Sequence, residues 1–397
     1  MQASALIDTA KIIGGRLLRL DMTGIKRLAR VNSLFAPGKI VWNFSHLDQL
    51  FHALPFDMPA AAPCPLPEAK APITTQVDLD RYFIDRNVKS FLVLKDGAIR
   101  HEQYFHGTRP EDRNISWSMS KSVTALLLGI LIDKGLIPAD ILEAEVQDHL
   151  PALKGSGYDG VRLLDVLTMS SGVRFNEDYV DYHSDINRMG RIIGVGGSMD
   201  DFAATLTRQW PPGTYMHYVT VDTHVIGMMI RALTGQKMID LLNAHVIRPM
   251  GFEHSGFVIT DEEQEPFVAG GFNMSTRDYA RLAQMMLQKG AWNGTRIVSE
   301  AWIDRMTQQT APLPDPETAK IPDGQLRYGL QWWLPPEARA GEFFGIGIYG
   351  QYMYIHRSAG VVIAQNAADT DFRVGDGAIN LETLAMFRQI AEDLAGA

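Results

Sequence analysis

The sequence predicts an α+β (α/β) fold, a largely antiparallel sheet flanked by helices with a mainly helical domain inserted into it. Three observations carry this expectation. β-rich runs stand at both ends, "FLVLKDGAIRHEQYF" at 91–105 and then "LRYGLQWWL", "GQYMYIHR" and "GVVIAQNA" toward the C-terminus. Between them, from Ser118 to about residue 255, apolar residues recur at spacings of three and four, the helical period. Asp96-Gly97 is a strong two-residue hairpin signal, and hairpins join neighbouring strands antiparallel.

The elements follow in chain order. At 397 residues the chain exceeds the size at which one core stops growing, so two lobes are expected. Residues 1–74 read as an N-terminal arm and linker, ending in the Ala/Pro-rich stretch around 59–72. Within the arm, "KIIGGRLLRLDMTGIKRLAR" at 11–30 is basic and partly amphipathic. Its three glycines weaken a free helix, which favours packing against the body over contact with a membrane surface. Residues 75–117 and 256–397 are assigned to a discontinuous sheet domain and 118–255 to the helical domain. "VRLLDVLTM", "MDDFAATLTRQW" and "HVIGMMIRALTG" supply helices there. "STRDYARLAQMMLQKG", closed by Gly290, and "LETLAMFRQIAEDLA" supply helices to the sheet domain.

Charge and composition exclude several functions. The formal charge is −9, from 37 Lys and Arg against 46 Asp and Glu, so no basic field exists to hold nucleic acid. No apolar run reaches the roughly 18–20 residues of a membrane span, and the N-terminus lacks the charged start and unbroken apolar block of a secretory signal. The lone Cys64 cannot form an internal disulfide, which fits a reducing compartment. A cytoplasmic location is expected. "HEQYFH" places His101 and His106 on opposite faces of a strand, a poor chelate, and "GVGGSMDD" matches no nucleotide-binding loop. No metal and no cofactor are expected. The absence of G-x-S-x-G removes the nucleophile elbow of α/β-hydrolases.

The chemistry centres on "SWSMSKSVTALLLGILIDKG" at 116–135. Residues three apart share a helix face, so Lys121 can reach the hydroxyl of Ser118. A serine is a weak nucleophile until a base takes its proton, and lysine serves only when neutral. Its pKa of ~10.4 must fall by roughly 3 units, about 4 kcal/mol, which only a desolvated site achieves. A helix N-terminus also frees the serine's own N–H to face a developing oxyanion. The competing interpretation makes Ser116 or Ser118 an N-cap and Lys121 a solvated first-turn residue. A lysine there opposes the helix dipole, which speaks against it, but the spacing alone is not specific.

The surrounding residues add specificity. "WSMSKSVTALLLGILIDKGLI", "LLDVLTMSSGV" and "PPGTYMHYVTVDTHVIGMMIRALTG", in this order, resemble the class C β-lactamase and penicillin-binding type of serine hydrolase. "FNEDYVD" at 175–181, "AGGFNMSTRDYARLAQMML" at 269–287 and "GIGIYGQYMYI" at 345–355 look more like the 6-aminohexanoate-dimer (nylon-oligomer) hydrolases and their esterase-like relatives. The resemblance spans roughly residues 85–365 and implies the β-lactamase/transpeptidase-like fold. It implies Tyr218, four residues after Thr214 of the Pro-Gly-Thr turn, as a proton relay. It also implies the backbone N–H groups of Ser118 and Ile348 as an oxyanion hole, with Gly347 and Tyr349 beside Ile348 as substrate-binding residues. Thr220 stands where the family has Asn or Ser and keeps a hydroxyl for substrate. Tyr179 matches a tyrosine that contacts the scissile amide nitrogen, while Asp178 and Asp181 equally fit loop-bending roles.

One motif departs. Penicillin-recognising relatives carry Lys-Thr-Gly, or His in place of the Lys, on the strand beside the nucleophile, and this chain has Gly345-Ile346-Gly347. Without that cation a β-lactam or peptide carboxylate loses its anchor, so a neutral small-molecule ester or linear amide is the expected partner. A β-lactamase or D-alanyl carboxypeptidase is one alternative. A catalytically silent binding or sensor protein of the same fold is another. A homo-oligomer is compatible with the sequence.

Overall fold

The computed structural model describes residues 31–57, 63–316, 326–337, 339, 341–374 and 378–396. The basic segment 11–30 lies outside them. The main sheet has seven strands in the order β3-β2-β13-β12-β11-β10-β9, every pair antiparallel. They are β2 (Val88–Lys95), β3 (Ala98–Tyr104), β9 (Arg327–Tyr328), β10 (Trp333–Leu334), β11 (Glu342–Gly347), β12 (Gln351–His356) and β13 (Val361–Ala367). β2 and β3 pair Lys95 with Ala98 across a two-residue turn in which Asp96 and Gly97 both have positive φ, 52° and 85°. That is the primed turn the dipeptide signals.

Both faces of this sheet are covered. Along β13, Val361 and Ile363 join one apolar cluster and Val362 and Ala364 the other. Phe91 and Val93 alternate with Leu92 and Leu94 in the same way on β2. The period of two therefore persists, but both sets are apolar because helices lie on each side.

Five helices in the described residues exceed ten residues: α1 (Met119–Asp133), α2 (Asp185–Val195), α3 (Thr220–Thr234), α4 (Thr276–Leu287) and α5 (Ala378–Ala395). α4 covers one face of the sheet, and α5 covers the other through Phe387, Ile390 and Leu394. α4 starts at Ser275, whose side chain accepts from the Asp278 N–H, a serine N-cap. α1 is buried all round from Met119 to Leu131, so it is a central helix without a solvent stripe.

A second, four-stranded sheet, β1-β5-β6-β4, contains β1 (His52–Pro55), β4 (Asn114–Ile115), β5 (Phe257–Thr260) and β6 (Phe272–Met274). It draws the arm residues 52–55 into the body of the fold. A short hairpin, β7 (Ala291–Trp292) and β8 (Thr295–Arg296), completes the strands. Residues 63–72 run as a strap, with the Cys64 N–H on Gly251 O and the Ile99 N–H on Pro67 O. No helix in the described residues is long and apolar enough to cross a membrane.

Candidate active site

β4 leads through Ser116 and Trp117 into α1. Trp117 has φ 43°, a left-handed conformation that a bulky residue rarely adopts, and this turn delivers Ser118 at the head of the helix. The Ser118 side chain makes no capping bond; Ser116 Oγ lies instead 2.5 Å from Ser120 Oγ. Ser118 lines a cavity of about 380 Å³.

One turn on, Lys121 is only 1 % exposed. Its Nζ lies 2.9 Å from Ser118 Oγ and 2.8 Å from Ala269 O. Burial lowers its pKa from 10.5 to about 8, while the carboxylates of Glu177 and Asp222 push the other way. Among the described residues no ion pair holds the ammonium, and the amine is mainly neutral above about pH 8. The Tyr218 ring centre is 5.1 Å from Nζ, and that ring stacks on Trp333 at 5.6 Å. Tyr218 lines the same cavity.

The end of β11 forms the facing edge. Gly347 and Ile348 line the cavity, and a Cβ built on Gly347 would stand 2.2 Å from Ser116 O. Only glycine lets the strand approach the chain that carries the nucleophile. The following turn uses positive φ at Tyr349 (62°) and Gly350 (83°) to reverse into β12.

The third wall contains a group that the sequence reading missed. Glu177 lines the cavity, and its Oε1 accepts from the Tyr179 hydroxyl at 2.7 Å and from the Thr220 hydroxyl at 2.5 Å. Its Oε2 accepts from the Thr220 N–H at 3.3 Å. Burial raises its pKa above 4.5, opposed chiefly by Lys121. The signal was an acid two residues before Tyr179, inside the quoted "FNEDYVD". A second buried carboxyl, Asp222, accepts from Tyr158 and Ser171, each at 2.9 Å, and burial holds its pKa well above 3.8.

Two of the residues expected to meet substrate lie outside the cavity lining. Thr220 is not among the residues lining the cavity; it is buried with its hydroxyl committed to Glu177. Tyr349 is likewise outside the lining, with its ring stacked on Phe35 at 5.0 Å and against Phe372 at 4.5 Å. Tyr179 and Gly347 do line the cavity. Asp178 accepts from the Val180 N–H and from Arg373, each at 2.9 Å, a loop-shaping role. Among the described residues no group of three His, Cys, Asp or Glu could hold a metal ion.

The family model described as Beta-lactamase matches residues 83–381. A 6-aminohexanoate-dimer hydrolase from Paenarthrobacter ureafaciens is 30% identical over 337 residues, 82% of this chain and 84% of that protein. Among solved structures, a Bacillus anthracis protein assigned as a 6-aminohexanoate-dimer hydrolase superposes with a TM-score of 0.79 at 21% identity, over 91% of this chain and 96% of its own. A family VIII carboxylesterase gives 0.57 at 17% identity, over 78% of this chain and 95% of its own. At these identities the two structures speak to the fold alone. The family match and the curated relative, each covering most of the chain, go further: this chain belongs to the Beta-lactamase family and is a serine hydrolase of that fold.

Proposed function

We propose that the chain cleaves carboxylic esters or linear amides of small molecules through an acyl-enzyme on Ser118. The observation that carries this reading is the 2.9 Å contact between Ser118 Oγ and a desolvated Lys121 at the wall of a cavity. Ser118 Oγ attacks the carbonyl carbon and its proton passes to the neutral amine of Lys121. The oxyanion that forms is met by the N–H groups of Ser118 and Ile348, donors fixed before reaction starts. The proton then leaves through Tyr218 to the departing alcohol or amine, and water releases the acid by the same groups in reverse.

The lining supports an uncharged group around the scissile bond. Glu177, Asp178 and Asp315 line the cavity with Arg373, and Arg373 is paired with Asp178. A β-lactam carboxylate would therefore meet mainly like charge. The relative named for the 6-aminohexanoate dimer, a linear amide, supports the amide side of the reading.

The test is intact-mass detection of the acyl adduct during turnover of p-nitrophenyl butyrate, a linear amide and nitrocefin. An adduct of acyl mass on the parent with the first two, lost in Ser118→Ala with at least a ~10³-fold drop in rate, is expected. Absence of any adduct and of turnover, or turnover unchanged in Ser118→Ala, would overturn the proposal.

A further inference from the structure

We infer that Phe35 and Phe44 of the N-terminal arm are positioning residues, which hold the two N–H groups that meet the oxyanion in register by packing against Trp117 and Tyr349. The inference rests on the function proposed above, where those donors belong to Ser118 and Ile348. Neither Trp117 nor Tyr349 lines the cavity, yet each adjoins one donor. The Ser118 N–H belongs to the peptide unit that begins at Trp117, and Tyr349 turns the chain directly beyond Ile348. Both have a left-handed backbone, with φ 43° and 62°. Bulky residues keep such a conformation only where their surroundings over-determine it.

The arm supplies those surroundings. Phe44 is 1 % exposed, and its ring meets Trp117 at 5.6 Å and Tyr349 at 5.3 Å, both edge to face. Its carbonyl accepts the Ile115 N–H at 3.0 Å, which ties the arm to β4, the strand that runs toward Ser118. Phe35 closes the group from outside: it stacks on Tyr349 at 5.0 Å and 16° and meets Trp117 at 6.1 Å. Trp117 and Tyr349 themselves lie 6.4 Å apart. The turns that carry the two donors are therefore joined ring to ring through the arm. Gln351 fixes the backbone of the second turn, its Nε2 donating to Ile348 O at 3.2 Å and to Tyr349 O at 3.0 Å. Donors serve an oxyanion when their spacing is set before reaction, so loosening the rings weakens transition-state binding and leaves ground-state binding alone. Phe35 is 44 % exposed, so its removal tests this without opening the core.

The experiment removes the outer ring and reads turnover together with an oxyanion mimic. In Phe35→Ala, kcat for p-nitrophenyl butyrate should fall about tenfold, a part of the ~10²–10³-fold loss of a whole donor, with KM within about twofold of the parent. The mimic is propyl trifluoromethyl ketone: Ser118 Oγ bonds to its carbonyl carbon, the serine proton passes to Lys121, and the carbonyl oxygen becomes an alkoxide with no group departing. Its Ki should rise by the same factor as kcat falls. Phe35→Tyr keeps the stacked ring and should restore both values. Tyr349→Gly accepts the positive φ without the ring, and adding Phe35→Ala to it should lower activity no further, because both remove one contact. If Phe35→Ala fails to fold, Phe35→Leu, which keeps apolar bulk without the stack, carries the same expectation. Parent-like kcat and Ki in the folded variant, a loss carried by KM alone, or no recovery in Phe35→Tyr would overturn the inference. A parent with neither ester turnover nor a ketone adduct on Ser118 would strike the proposed function instead.

Discussion

Two buried lysines among the described residues each touch a serine hydroxyl, and only one of those serines lines the cavity. Lys121 meets Ser118 at 2.9 Å; Lys89, on β2, meets Ser45 at 2.6 Å. Each is 1 % exposed. Burial lowers Lys89 from 10.5 to about 7, with Asp112 raising it in part, and lowers Lys121 to about 8. By proximity and basicity alone Lys89 and Ser45 would be the better pair. The difference lies in what surrounds them. Ser118 opens onto a cavity beside Tyr218 and the β11 edge, whereas neither Lys89 nor Ser45 lines that cavity. A depressed lysine pKa reports dryness; chemistry also needs room for a carbonyl and donors aimed at it.

The comparison can be broken by exchanging both lysines. Lys121→Met should lower kcat/KM for p-nitrophenyl butyrate by ~10²–10⁴-fold, the range of a lost general base, while Lys89→Met stays within about threefold of the parent. Equal losses in the two variants would erase the distinction drawn between them. A smaller effect is expected where β11 comes closest to the chain that carries Ser118. Gly347→Ala drives a Cβ into Ser116 O and displaces the β11 edge, so kcat/KM should drop by ~10²-fold and Tm should fall with it, read by parallel kinetics and thermal melts.

Titration sharpens the contrast further. For catalysis, protonated Lys121 cannot accept the serine proton, so kcat/KM should rise with pH and level off above about 8. For stability, the sign follows from Lys89 binding its proton more weakly folded than unfolded. Between about 7 and 10.5 the unfolded chain holds a proton that the folded chain does not, so this group's contribution falls as pH falls through that window and is constant below it. Denaturation of parent and Lys89→Met from pH 7 to 10 should show the difference narrowing with rising pH, with a total change on the order of 4 kcal/mol.

Local pattern made part of this molecule legible and left part of it hidden. Ser118 and Lys121 are one helical turn apart, so their contact needed only the period of α1. The Asp96-Gly97 hairpin and the alternating cores of β2 and β13 likewise follow from short-range rules. The four-stranded sheet escaped because β4 and β6 have two and three residues, too few for any periodicity to register. Thr220 and Tyr349 were assigned to substrate by their places in stretches that resemble the family. Their actual partners, Glu177 and the aromatic pair Phe35 and Phe372, come from distant parts of the chain. Glu177 was not singled out, because its partner Thr220 stands more than forty residues along the chain.

One pairing of the main sheet joins β2, early in the described chain, to β13, near its end. Ser118 leaves its own small sheet early in the sequence, and the β11 edge that it faces is threaded only after the helical region and α4 have been made. On the ribosome, then, the nascent polypeptide carries Ser118 and Lys121 long before the strand that forms the opposite wall of the cavity has been synthesised. In refolding from denaturant, recovered activity should track the slowest phase of long-range strand docking rather than the early return of helical signal.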